Sequence, residues 1–234
     1  ATFGTGTSVM MNAGASRPKQ VPDGLVESVS WGRGGEVFYA LEGNINYSGA
    51  LIKWLVNDLE LIQTSRESGQ FAMQVKDTGG VYFVPAFSGL GAPYWDNDAR
   101  AMICGITAAT KKAHLVRAAE EAIAYQIRDI TEQLALCGKT VGLLCVDGGA
   151  TNDQFLMQFV SDMTGAPLKR SSIEELSAAG AAYLAALSVG IATQTEIFSS
   201  IEYTQVEPSM QQTQRERLYK GWKKAVAMVT EKKR

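Results

Sequence analysis

The chain has 234 residues, of which 46% are hydrophobic and 20% are charged, and its 22 basic and 24 acidic residues leave a net charge of −2. This length and composition exclude a disulfide-stapled miniprotein and a disordered chain, and the balanced charge gives no sign of nucleic-acid binding. The longest apolar run, 178–192, is interrupted by Ser188 and Gly190 and falls short of the roughly 20 residues that span a bilayer.

Cysteine and histidine usage points away from a metal centre. The three cysteines, Cys104, Cys137 and Cys145, have no metal-binding spacing, and two of them lie in apolar stretches. We therefore predict reduced, buried thiols in a cytoplasmic protein. His114 is the only histidine, which excludes histidine-rich metal sites and favours a structural role for this residue.

The start of the chain suggests a piece of a longer protein. Ala1 is followed at once by a β-type segment, without an initiator methionine or a signal-peptide pattern. An active site shared with the rest of that protein would be only partly present here.

The first half of the chain alternates between strand and helix patterns. β-Branched and aromatic residues between glycine and proline turns predict strands at about 2–11, 25–31, 36–41, 81–84 and 101–107. Apolar residues at helical spacing predict a helix over 47–63 and a shorter one over 66–76.

The second half contains the most regular helix pattern. A continuous apolar stripe predicts a helix over 111–136 that ends at Gly138. Beyond it we predict strands at 141–146 and 167–171 and helices at 152–164, 178–189 and 209–231. Thr151 and Gln154 fit a capping box at the start of the 152–164 helix, and the small residues of 178–189 favour close packing on a neighbouring backbone. These elements predict one α/β domain.

The junction VGLLCVDGGATND is the strongest local signal of a binding site. A buried strand that turns through glycines into a helix directs backbone N–H groups and the positive end of the helix dipole at whatever lies beyond the turn. One interpretation is a nucleotide site with Gly148, Gly149 and Ala150 as backbone contacts. The other is a tight turn with Thr151 as an ordinary helix cap, and the pattern alone favours neither.

A second glycine segment lies near the start of the chain, GTGTS at 4–8. Its exposed backbone donors and hydroxyls suit phosphate oxygens, although the pattern by itself is more typical of a flexible turn. The chain contains no GxxxxGK[ST] loop, and no GxGxxG follows a strand.

These two glycine segments belong to a wider resemblance. The matching stretches include TFGTGTSVMMNAG, GVYFVPAFSGLGAPYWD, HLVRAAEEAIAYQIRDI and VDGGATNDQFLMQFVSD. From residue 2 to about 228 the chain resembles the C-terminal half of the FGGY carbohydrate kinases, and within that family its motifs are most similar to those of members that act on glycerol.

The resemblance implies an α/β fold of the actin-like ATPase (ribonuclease H-like) class, with a mixed sheet flanked by helices. Residues 1–234 would be a single C-terminal nucleotide-binding domain of a longer two-domain kinase. ATP with Mg²⁺ would lie in the cleft between the domains, and a small polyol would be bound together with the missing N-terminal domain. Neither a nucleic-acid nor a membrane partner is implied, and a homo-oligomer is left open.

The resemblance also implies roles for particular residues. The nucleotide-binding positions it implies are Gly4, Thr5, Gly6, Gly49, Lys53, Gly148, Gly149, Ala150 and Asp153. Lys53 stands where the family usually has glutamine, and Asp153 where it usually has asparagine. The general base would precede residue 1, so no catalytic residue and no metal ligand is assigned within the chain.

Two hypotheses of different class follow. The first is the ATP-binding half of a kinase that transfers the γ-phosphoryl group of ATP to glycerol, with another sugar such as a pentulose as the alternative acceptor. The second is a non-catalytic actin-like module, which the departures at Lys53 and Asp153 favour.

Overall fold

A computed structural model describes residues 1–136, 138, 140–173 and 175–230. In these ranges the strands are β1 (Thr2–Phe3), β2 (Thr7–Gly14), β3 (Val26–Arg33), β4 (Glu36–Ile45), β5 (Tyr82–Val84), β6 (Met102–Cys104), β7 (Leu144–Val146), β8 (Leu168–Ser171) and β9 (Tyr203–Val206). The helices are α1 (Gly49–Asn57), α2 (Ser68–Ala72), α3 (Lys112–Leu136), α4 (Gln154–Thr164), α5 (Leu176–Val189), α6 (Gln194–Ser199) and α7 (Gln212–Thr230), with 3₁₀ turns at Ser65–Glu67 and Gly149–Asn152.

Two sheets meet at the short first strand. The N-terminal strands form an antiparallel sheet in the order β1-β2-β4-β3, in which Thr7 of β2 pairs with Ile45 of β4. In the sheet β7-β8-β9, β7 and β8 are parallel and β9 is antiparallel to β8. A parallel bridge between Thr2 and Asp147 joins β1 to the end of β7. Strands of both directions therefore lie side by side where the two sheets meet.

Helix α3 is the central element of the core. It contacts α1, α2, α4, α7 and the strands β4 and β5, and residues on nearly all of its sides are buried. The helix begins one residue later than predicted and ends at the predicted residue. Because neighbours cover several faces, the helix also buries charged side chains, which require hydrogen-bonding partners. These buried charged side chains are Glu120, Glu121, Arg128 and Asp129.

Asp129 joins α3 to α7 through one buried carboxylate. The Tyr219 hydroxyl donates to Asp129 Oδ1 over 2.6 Å, and the Trp222 indole N–H donates to Oδ2 over 2.8 Å. The Lys223 ammonium lies 3.4 Å from Oδ1. Trp222 is fully buried, so its N–H depends on this acceptor rather than on water.

Most predicted elements are present with shorter bounds. The strand predicted at 2–11 is divided by a hairpin between β1 and β2, and the helix predicted over 47–63 ends at Asn57. Only Leu144–Val146 of the segment 141–146 forms a strand. Helix α6 and strand β9 were not predicted, and residue 231 of the last predicted helix lies outside the described residues.

The predicted capping box at the start of α4 is wrong. Thr151 lies in the 3₁₀ turn, where its hydroxyl donates to the Gly148 carbonyl oxygen over 2.7 Å. Asp153 is the cap instead, and its Oδ1 accepts the Leu156 N–H over 3.0 Å. The 3₁₀ turn moves the helix start two residues further than the sequence pattern indicated, and Asp153 thereby has a structural role of its own.

Two further predictions about burial are wrong. Helix α5 contains no buried residue, and nothing lies within 4 Å of a methyl group built on Gly180. Cys145 is exposed and Cys104 is half-buried, although both are free thiols, and Cys137 lies outside the described residues. Cys145 lies in β7, where successive side chains alternate between the two faces of the sheet, so its apolar neighbours are buried while it is not.

None of the helices in the described ranges has both the length and the apolar character to cross a bilayer.

We expect Asp129→Ala to lower the free energy of unfolding by about 3 kcal/mol, because the Trp222 N–H then stays buried without its acceptor. Urea unfolding followed by tryptophan fluorescence measures this change. The control is Glu202→Ala, which removes an exposed acid and should stay within about 0.5 kcal/mol of the parent chain. Equal stabilities of the two variants would contradict the assigned role of Asp129.

Candidate functional site

Two segments about 140 residues apart meet through backbone hydrogen bonds. The Phe3 N–H donates to the Asp147 carbonyl oxygen over 2.8 Å, and the Asp147 N–H donates to the Ala1 carbonyl oxygen over 3.1 Å. Gly148 follows with a φ of 94°, and a methyl group on it would overlap the Phe3 carbonyl oxygen. Glycine is therefore required at this position by the packing of β1, independently of any ligand.

The 4–6 hairpin packs in turn against the start of α1. The N–H groups of Ser48 and Ala50 both donate to the Thr5 carbonyl oxygen, over 3.2 Å and 2.9 Å, and the Gly49 N–H donates to the Gly4 carbonyl oxygen over 3.2 Å. A methyl group on Gly49 would lie 2.5 Å from that same Gly4 oxygen. The first N–H groups of α1 are thus satisfied by the hairpin, so Gly49 serves the contact between hairpin and helix.

These contacts leave a cavity of about 790 Å³ between the hairpin, α1, α3 and the start of α4. A volume of this size is typical of small-molecule and cofactor sites. The lining residues are Phe3, Gly4, Thr5, Ser48, Gly49, Ile52, Lys53, Ser65, Arg66, Ser68, Glu120, Ile123, Gly149, Ala150, Asn152, Asp153 and Leu156.

The cavity brings together most of the site residues predicted from the sequence. Its lining contains all of the predicted positions except Gly6 and Gly148. A methyl group on Gly6 would overlap the Ile45 carbonyl oxygen. Gly6 and Gly148 therefore shape the two glycine turns through backbone packing, while Gly4, Thr5, Gly149 and Ala150 face the cavity.

Several lining residues were not predicted as part of a site. Ser65, Arg66 and Ser68 lie in the 3₁₀ turn and at the start of α2, and Glu120 lies in the middle of α3. No local motif marks them. The one available signal for Glu120 is its position in the middle of α3, the helix with the most continuous apolar pattern, where an acidic side chain is buried and lines the cavity.

The charges of the cavity are unevenly distributed. Lys53 and Arg66 are exposed at the cavity, and in the part of the chain that the structure describes neither side chain forms an ion pair. Glu120, in contrast, is 1% exposed, and burial raises its pKa to about 8, with a further increase from the negative charge of Asp153. The cavity is therefore lined by the two cations and by the carboxyl groups of Glu120 and Asp153, and burial makes Glu120 harder to ionise than an exposed acid.

The remaining candidates have structural roles. The Nδ1 atom of His114 accepts the Lys111 N–H over 2.9 Å at the start of α3, in agreement with the predicted structural role. Over the described ranges, no group of three or more His, Cys, Asp or Glu residues is arranged to hold a metal ion.

We expect Gly49→Ala to destabilise the chain by about 1–3 kcal/mol, because the added methyl group would press on the Gly4 carbonyl oxygen and separate the hairpin from α1. Gly180→Ala is the matched control: it lies inside α5 in open space and should raise stability by up to about 1 kcal/mol. Thermal and urea unfolding of both variants measure the difference, and a destabilisation of the same size in both would contradict the packing role of Gly49.

Comparison with known proteins places the chain in a family. The sequence model of the C-terminal domain of the FGGY family of carbohydrate kinases matches residues 1–189. Glycerol kinase from Carboxydothermus hydrogenoformans is 47% identical over 233 residues, covering 98% of this chain and 46% of the relative. Glycerol kinase 2 from Thermotoga maritima is 46% identical over 229 residues, covering 97% and 46%. The chain spans about half the length of the curated relatives it matches.

Solved structures agree with this assignment. The glycerol kinase of Plasmodium falciparum, solved with ADP, superposes with a TM-score of 0.86 at 34% identity, covering 97% of this chain and 46% of that one. Gluconate kinase from Lactobacillus acidophilus superposes with a TM-score of 0.81 at 20% identity, over 99% of this chain and 48% of its own, which shows the fold alone. The predicted α/β, actin-like fold is confirmed. From the match over residues 1–189 and this shared architecture, the chain belongs to the FGGY family of carbohydrate kinases.

Proposed function

We propose that residues 1–234 are a single C-terminal, nucleotide-binding domain of an ATP-dependent kinase that phosphorylates glycerol. The observation that carries this proposal is the cavity itself, where the 4–6 hairpin and the 148–150 turn meet two cations that form no ion pair within the described ranges. The structure solved with ADP supports ATP as the nucleotide, and the names of the relatives support glycerol as the acceptor. The free thiols of Cys104 and Cys145 support the cytoplasmic setting that we propose for it.

In this proposal the phosphates lie at the hairpin end of the cavity. Lys53 and Arg66 supply positive charge and have no ion-pair partner among the described residues, and the Thr5 side chain is exposed at the same cavity. Mg²⁺ keeps several waters and binds through phosphate oxygens and one or two carboxylates, so we propose that it enters with the nucleotide. It would neutralise charge on the phosphates during transfer.

The acceptor and the general base would come from chain outside these 234 residues. In the proposed reaction, a glycerol hydroxyl oxygen forms a bond to the γ-phosphorus of ATP while the bond from that phosphorus to the β–γ bridging oxygen breaks. The hydroxyl proton passes to the base, and ADP leaves. The chain corresponds to only 46% of its relatives' length, which supports a division of the site between two halves.

Calorimetric titration of the chain tests the nucleotide half of this proposal. We expect Mg-ATP and Mg-ADP to bind and glycerol, titrated in parallel, not to bind. Failure of both nucleotides to bind would reject the assignment of the cavity. The catalytic half of the proposal is tested on the longer protein that contains this domain, by measuring ADP release that depends on glycerol. If no such release occurs, the non-catalytic module is favoured.

We expect Lys53→Glu to weaken Mg-ATP binding by about tenfold, because a cation at the cavity becomes an anion facing the phosphates. The effect should shrink with added salt, since an exposed charge is screened. Lys220→Glu changes an equally exposed lysine on α7, away from the cavity, and should leave the affinity within about twofold. Equal losses in the two variants would mean that only overall charge matters.

A further inference from the structure

The 3₁₀ turn at Gly149–Asn152 is held from two sides. On one side, the backbone of Asp147 pairs with β1 just before the turn. On the other, the parallel register of β7 and β8 places Arg170 opposite Val146. The Arg170 side chain extends from there to the turn, where its Nη2 atom donates to Asn152 Oδ1 over 2.7 Å. A side chain of the neighbouring strand therefore holds part of the cavity wall in place.

Arg170 fixes the orientation of the Asn152 amide. A guanidinium group only donates hydrogen bonds, so the amide atom that faces it must be the oxygen. The Nδ2 atom lies on the other side of the amide and donates to the Gly149 carbonyl oxygen over 3.2 Å. A reversed amide would place donor against donor and acceptor against acceptor, so both contacts require the same orientation.

One side-chain donor of this turn is left for a ligand. The Nδ2 atom of Asn152 carries two protons, and within the described ranges one of them has an acceptor. Gly149 and Ala150 have no polar side-chain atom, and the Thr151 hydroxyl donates its proton to the Gly148 carbonyl oxygen. Asn152 is exposed and lines the cavity, so a bound molecule can reach the second proton.

The next residue along the chain disfavours a phosphate group at this place. Asp153 has a carboxyl group whose Oδ1 accepts the Leu156 N–H over 3.0 Å, and its oxygens occupy the space that a methyl group on Gly69 would need. A negative charge beside Asn152 repels phosphate oxygens, whereas the hydroxyl groups of a ribose are uncharged. In the proposed function the phosphates lie at the hairpin end, where Lys53 and Arg66 supply positive charge.

We propose that Asn152 donates a hydrogen bond to a ribose hydroxyl oxygen of the nucleotide, and that Arg170 is the positioning residue that keeps the amide in the required orientation. Arg170 lies outside the lining of the cavity, so it acts through Asn152 and not on the nucleotide itself. This inference rests on the proposed nucleotide-binding function, and it adds two residues to the site that the resemblance implies.

Nucleotides with and without ribose hydroxyls test the contact of Asn152. Calorimetric titration compares Mg-ATP with the Mg²⁺ complex of dideoxy-ATP, which keeps the base and the phosphates but lacks both hydroxyls. We expect Asn152→Ala to weaken Mg-ATP binding about fivefold, as for the loss of one hydrogen bond, and to leave the affinity for dideoxy-ATP within about twofold. The control Asn57→Ala removes an exposed amide of α1 outside the cavity lining, and both affinities should stay within about twofold.

The role of Arg170 is tested by a double-mutant cycle. Arg170→Met should weaken Mg-ATP binding about fourfold, because the amide can then rotate away, and Arg170→Lys, which keeps a cationic donor, should recover most of that loss. In a chain that already carries Asn152→Ala, Arg170→Met should have no further effect if Arg170 acts through the amide. A charge that attracted the phosphates directly would lower the affinity equally in both chains.

The outcomes distinguish this inference from the function on which it rests. If neither Mg-ATP nor Mg-ADP binds the parent chain, the proposed function fails and the inference fails with it. If Mg-ATP binds but Asn152→Ala, shown by thermal unfolding to be folded, keeps the parent affinity or weakens ATP and dideoxy-ATP equally, Asn152 does not contact the ribose while the proposed function stands. An effect of Arg170→Met that persists at full size beside Asn152→Ala would overturn the positioning role.

Discussion

The short strand β1 is the contact on which both the fold and the cavity depend. Through Phe3 and Ala1 it exchanges backbone hydrogen bonds with Asp147, and through Thr2 it pairs with β2 in the other sheet. Two residues of strand thereby join two sheets and bring the 4–6 hairpin beside the 148–150 turn. At both contacts the backbone of one segment lies directly against that of the other. A side chain at Gly148 or Gly49 would collide with a carbonyl oxygen, so the fold requires glycine at both positions independently of any ligand.

The sequence predicts best the elements whose apolar pattern is continuous. Helix α3 and strand β8 were located to within a residue or so, because their burial follows directly from their side chains. The start of α4 was misplaced, since nothing local reveals that a 3₁₀ turn precedes Asp153. Exposure of α5 was also missed, because an apolar helix pattern predicts a buried face without indicating what would cover it.

In the candidate site, too, some residues were predictable from local sequence and others were not. The two glycine segments were identified from local sequence, and the structure places both at one cavity. Glu120 could not be found in this way, because an acidic residue in a helix is typical of a solvated face. Its burial arises only from the packing of α2 and α4 around α3, which is a property of the tertiary structure.

The backbone N–H groups at the start of α1 are already hydrogen-bonded within the fold, which limits the groups that can bind a ligand in the cavity. A helix start normally offers free N–H groups to an anion, but the Gly4 and Thr5 carbonyl oxygens already occupy those of residues 48–50. At the start of α1 positive charge must then come from side chains, and Lys53 and Arg66 line the cavity without an ion pair to any residue that the structure describes. At the other end the Asp153 carboxylate is engaged in capping α4. Glu120 lines the same cavity but is only 1% exposed, so the exposed side chains of Lys53 and Arg66 are more accessible to a ligand than its carboxyl group.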